Sequence, residues 1–80
     1  MLNPKIHITI QGEVGSGKSL LARRLLEDLT DSPFENTYPV IHTEGQYHVE
    51  GGTATEAYIK QAAGRQHIIL ITINTVTNNL

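Results

Sequence analysis

Apolar and polar positions change rhythm several times along this chain, first at period two, then near 3.6, and each change outlines an element. Ile6, Ile8 and Ile10 interleave with His7, Thr9 and Gln11. Successive strand side chains point to opposite sides and β-branched residues suit a pleated surface, so this predicts a strand with one well-buried face. From Lys18 to Thr30 the spacing lengthens: Leu21, Ala22, Leu25 and Leu29 share one side, while Arg23, Arg24, Glu27 and Asp28 occupy the other. That is the pattern of a helix laid on a core. Asp31-Ser32-Pro33 ends it, because proline cannot continue a helix and disfavours helical backbone in the residue before it. A second strand is predicted over Tyr38–Thr43 around Val40 and Ile41, with Pro39 pointing to a sheet edge or a strand start. Gly45 to Gly52 reads as a polar loop. Thr53 and Glu56 have the spacing of a capping box, opening a helix that carries Ala57, Tyr58, Ile59, Ala62 and Ala63 and ends at Gly64. Tyr38 and Tyr58 read as packing residues. Ile68–Ile73 is the third and most apolar strand.

Strand, helix, strand, helix, strand in alternation implies a parallel sheet with right-handed crossovers. The near-continuous apolar run Ile68–Ile71 places the third strand centrally, covered on both faces. The predicted fold is therefore α/β: a small three-stranded parallel sheet, ordered second, third, first, with helices on both faces. With 80 residues one domain is allowed. A chain this short buries roughly 60% of its unfolded surface, so the core is thin.

Composition narrows the function classes. At 39% hydrophobic and 18% charged residues the chain is ordinary for a globular protein. A net charge of −2, with the basic residues few and scattered, argues against a nucleic-acid surface. The absence of cysteine removes disulfides, thiolate catalysis and cysteine zinc sites together. The first residues lack a signal-peptide pattern, and the run Ile68–Ile71 is far too short to span a bilayer. A cytoplasmic protein without membrane contact is the expectation.

The chemistry concentrates in Gly12-Glu13-Val14-Gly15-Ser16-Gly17-Lys18-Ser19, at a predicted strand-to-helix junction. Glycines let the backbone curl around an anion in conformations that a side chain forbids. The curl aims backbone N–H groups inward, and the following helix adds its positive end. Lys18 would reach the terminal phosphates of a nucleotide and the Ser19 hydroxyl would help hold Mg²⁺. Through these residues the chain resembles the P-loop NTPase superfamily. The resemblance implies binding of ATP, or GTP, with Mg²⁺ by residues Gly12 to Ser19 and by Leu20 in the first helical turn.

The sequence also departs from that family. Its enzymes carry an acid at the end of the strand beside the loop strand, to order the Mg²⁺ shell; here Asn74 stands at that place. The run Ile71-Thr72-Ile73-Asn74 is similar to the first-sensor strand of AAA-type ATPases, whose Asn or Thr watches the terminal phosphate. Glu44, just past the second strand, falls on the edge where parallel sheets bind ligands; the resemblance to small-molecule kinases makes it the candidate base or metal ligand, against the plainer reading of a solvated loop glutamate. Glu13 lines the loop entrance. His42 and His48 near Glu44 and Glu50 match no familiar metal spacing, and Tyr47 with His48 suits stacking on a base or covering the phosphates. Arg65, before the third strand, lies at the wrong end of the sheet to complete catalysis. Lys18 and Glu44 are thus the catalytic candidates, and nucleotide binding with weak or partner-dependent hydrolysis is the expected function. The alternative is an interaction module, an inhibitor or accessory subunit using the fold as a scaffold. Met1 and the residues after it read as the start of a complete frame, while a fragment of a longer ATPase fits the same residues. The strand Ile6–Gln11 would have one neighbour only, so a homodimer or a larger protein partner is expected to cover that edge or the tail Thr75–Leu80.

Overall fold

In the computed structural model, which describes residues 2–31 and 36–77, the elements are β1 (Ile6–Gly12), α1 (Lys18–Thr30), β2 (Thr37–Thr43), β3 (Gln46–Val49), β4 (Gly52–Ala54), α2 (Glu56–Ala63) and β5 (His67–Thr75). They form one five-stranded sheet in the order β1-β5-β2-β3-β4. β5 is parallel to both β1 and β2, whereas β2–β3 and β3–β4 are antiparallel. The sheet is therefore mixed, and the expectation of a three-stranded parallel sheet is corrected by these two added strands.

The correction has a local cause. Residues 45–52, expected to be a loop from their glycines and polar side chains, hold β3 and the start of β4, each entered through a tight turn. Glu44 and Gly45 have φ of 52° and 75° and close the hairpin directly after the pair Thr43↔Gln46. Positive φ at both central positions defines the turn whose twist matches that of the flanking strands. Gly51, with φ 101°, does similar duty before the pair Val49↔Gly52. The turn glycines were visible in the sequence, but strands of four and three residues carry too little periodicity to separate them from a loop.

Smaller differences follow from the same rearrangement. Thr53 belongs to β4 and does not cap α2; Thr55 does, its hydroxyl accepting from the Tyr58 amide at 3.1 Å. Gly64, at the other end of α2, has φ 57°, a backbone suited to glycine. Pro39 is buried within β2, yet β3 pairs only with Ile41–Thr43. At its own level Pro39 has β5 as sole strand neighbour, which reconciles a proline with an inner strand. Ser32 and Pro33, expected to end α1, lie outside the described residues; α1 stops at Asp31, whose amide donates to the Asp28 carbonyl at 3.3 Å.

Alternation along the strands builds two cores, one per face. On one face Ile41, Ile69 and Ile71 pack under Ala22 and Leu26 of α1, with Ile8, Ile10 and Ile73 at the margin. On the other, Val40 and Val49 meet Ile59 of α2 and Leu2, flanked by Tyr38, Ile68 and Leu70. The helices thus cover opposite faces. Each core is small, and β1 gains least. It is a terminal strand, Ile8 and Ile10 are only half-buried, and Ile6 is 54% exposed. The expected well-buried face of this strand is therefore corrected to a half-buried one, because α1 lies mainly over β2. Tyr58, expected to pack, is instead 56% exposed. Among the described residues no helix is long and apolar enough to cross a membrane.

Candidate functional site

The glycine loop leaves the carboxyl end of β1 and enters α1 without an intervening element. Gly12 closes the strand, and its carbonyl accepts from the Val76 amide at 2.8 Å, tying the loop's root to the chain just beyond β5. The Glu13 carbonyl turns inward and accepts twice: from the Ser16 amide at 3.2 Å and from Lys18 Nζ at 3.0 Å. The lysine amine is thereby folded back over the loop, where a bound anion would meet it.

Gly15 and Gly17 have φ of 79° and 86°, backbone that L side chains rarely adopt. Gly17 is also the residue before the first turn of α1 and offers no side-chain cap. The amides that begin α1 therefore remain available to a ligand. No acid lies in that first turn to compete for its positive end. A Cβ placed on Gly15 or Gly17 would meet nothing within 4 Å, so the space above the loop is open. A Cβ on Gly12 would instead approach the Ser16 hydroxyl to 2.7 Å. Ser19 and Leu20 stand exposed in the first turn, and Val14 is 84% exposed at the loop's crest. Uncapped helix amides, an amine and a hydroxyl thus stand together around an open loop, a donor set suited to an anion.

The remaining candidates are ordered by strand register. Asn74 pairs with Gln11 inside the β1–β5 ladder and is exposed; β5 continues through it to Thr75, so it is not past the strand's end. The β2–β5 ladder ends at His42↔Thr72, and Glu44 lies in the turn just past β2, where the chain has left that register. β1 and β2 flank β5, which separates Glu44 from the loop strand by about two strand spacings, roughly 10 Å. Glu44 is exposed and, among the described residues, the one non-glycine with positive φ. Backbone strain of this kind is uncommon and often accompanies function.

His42 and His48 fall on opposite faces, since neighbouring strand residues alternate: His48 pairs with Ile41, and His42 with Tyr47. They cannot share a ligand. His42 instead stacks on Tyr47, ring centres 4.7 Å apart. No group of three or more His, Cys, Asp or Glu capable of holding a metal occurs among the described residues. His7 Nε2 lies 2.6 Å from the Thr72 hydroxyl on the exposed side of β1. Arg65 stands in the turn before β5, at the edge opposite the loop.

Sequence reasoning missed one feature. A concavity of about 810 Å³ lies between the β3–β4 hairpin and the first turn of α2, away from the loop. Its walls are built by β3 and β4, which the sequence pattern does not separate from a loop, so the pattern could not reveal it; the half-buried Tyr47 and exposed Tyr58 line it.

Comparison with protein-family models, with characterised proteins and with solved structures finds no match for this chain.

Proposed function

We propose that this chain binds a nucleoside triphosphate, ATP before GTP, together with Mg²⁺ at residues 12–19, with hydrolysis that is weak or depends on a partner. The observation that carries this reading is the loop itself: two left-handed glycines, an uncapped helix start and the Lys18 amine folded over the Glu13 carbonyl at 3.0 Å. Backbone amides and the helix end hold negative phosphate oxygens. Lys18 exchanges its carbonyl partner for the distal phosphates, a stronger charge-assisted contact. Ser19 would hold Mg²⁺, which neutralises phosphate charge when bound. Glu44 would orient the attacking water, and the lack of a strand-end acid, with Asn74 at that place, would make turnover slow.

Titration of labelled ATP and GTP, with and without Mg²⁺, tests this. Lys18→Ala should weaken triphosphate binding strongly and leave adenosine binding nearly unchanged. Parent-like ATP affinity in that variant would sink the proposal.

A second reading has its own observation. β1 is the terminal strand of the sheet, and His7, Thr9 and Gln11 are exposed along it. An edge strand offers unpaired backbone donors and acceptors, which suits an interaction module that pairs through β1 with another copy or a larger protein. Sedimentation at micromolar concentration separates the readings: a clean monomer with β1 amides protected from exchange would exclude self-association through this edge.

A further inference from the structure

The cleft between the β3–β4 hairpin and α2 has the properties of a binding site distinct from the glycine loop. Its volume, about 810 Å³, is in the range of small-molecule sites. Val49 and Ala54 form an apolar floor, and Tyr47 and Tyr58 stand as aromatic walls. Tyr47 is pre-set by its stack on His42 at 4.7 Å. Tyr58, by contrast, is 56% exposed, an aromatic ring that the fold leaves unburied on the cleft wall. Gly45, Gly51 and Gly52 border the cleft, and a Cβ on any of them would meet nothing within 4 Å. The walls are therefore open where side chains would otherwise fill them.

Charge selects the occupant. No lysine, arginine or histidine lines the cleft, and its one formal charge is the Glu50 carboxylate. Glu44 lies next to the bordering Gly45, and Glu56 is in the first turn of α2. That turn is poorly suited to an anion, because one of its amides, that of Tyr58, is engaged by Thr55 and the acid offsets the helix's positive end. Aromatic faces and a carboxylate, without a competing cation, attract organic ammonium groups. We infer that this cleft binds a small organic cation with an apolar body, its ring or alkyl part on Val49 and Ala54 and its ammonium between the tyrosines and Glu50. The site is built by residues apart from the glycine loop and does not rest on nucleotide binding.

Three probes of similar shape test it on the full chain by amide NMR: phenethylammonium, 2-phenylethanol and 3-phenylpropionate. The cation should give saturable shifts confined to residues 45–58, the alcohol weaker ones and the carboxylate none. Tyr58→Ala and Glu50→Gln should each weaken the cation roughly two- to fivefold. Both positions are exposed, so the fold is retained, which the unchanged remainder of the spectrum verifies. Lys18→Ala should leave the cation's affinity unaltered even if it abolishes ATP binding, keeping the two sites' tests separate. Shifts with the carboxylate equal to those with the cation, shifts lying elsewhere, no saturable response at millimolar probe, or indifference to both substitutions would overturn the inference.

Discussion

Replacing Glu44 by asparagine should make the protein more stable and less active at once. Glu44 has φ 52° beside Gly45 at φ 75° in the tight hairpin between β2 and β3. Left-handed backbone destabilises an ordinary L residue by roughly 1–2 kcal/mol, whereas asparagine is among the residues this turn prefers. The Glu44 side chain is exposed, so no packing is lost. Glu44→Asn should thus raise stability by about 1 kcal/mol, which for a domain of this size is an increase of about 4–8 °C in Tm. Glu44→Ala keeps the strain and should stay within about 0.5 kcal/mol of the parent. Glu44→Gly should fall between, because relief of strain is offset by about 0.4–1 kcal/mol from the freer unfolded chain. Thermal melts of the three variants, beside ATP turnover, provide the assay. All three should lose whatever hydrolysis the parent has. If asparagine is no more stable than alanine, the strain argument is wrong; if asparagine and alanine turn over ATP like the parent, Glu44 is not the catalytic acid.

Other outcomes follow from the loop and the two cores. Gly17→Ala, at φ 86°, should destabilise by about 1 kcal/mol and weaken ATP binding, whereas Gly12→Ala should fold normally because the Ser16 hydroxyl that it approaches can rotate away; comparable melts for the two would contradict this. Ile71→Ala, in the core beneath α1 with no exposed surface, should cost about 2–5 kcal/mol in urea unfolding. Thr55→Ala removes the cap on the Tyr58 amide and should cost about 0.5–2 kcal/mol, while Thr53→Ala should spare α2. Burial, and then the neighbouring Tyr58, push the Tyr38 phenol above 10.0. The unfolded chain therefore releases that proton first, so this contribution to stability is complete below pH 10.0 and is lost as pH rises through the folded value. Tyr38→Phe should flatten the alkaline fall seen in pH-dependent unfolding, and an unchanged slope would assign it to another group.

Local spacing was enough to read β1, α1, α2 and β5, because each is decided by neighbours within a few residues. Isoleucines at period two and leucines at helical spacing name the apolar faces before any partner is known, though not how far each is covered: Ile6 and Leu21 stay more than half exposed. The turn of residues 12–19 into a helix was equally legible, since glycines at fixed offsets before a helix constrain the backbone without help from the rest of the chain. Tertiary structure decided what depends on distant pairing. Gln46–Val49 and Gly52–Ala54 are strands only because β2 supplies a ladder for β3, and β3 one for β4; alone, so few residues do not outweigh the entropy of ordering them. That pairing made the sheet mixed, moved the helix cap from Thr53 to Thr55 and raised the wall of the second cleft. Register, not spacing, split His42 from His48 across the sheet. The exposure of β1 was likewise a matter of where α1 settled, over β2 rather than over the strand that bears the loop. Periodicity tells which side of an element is apolar, but only the assembled sheet determines what covers that side.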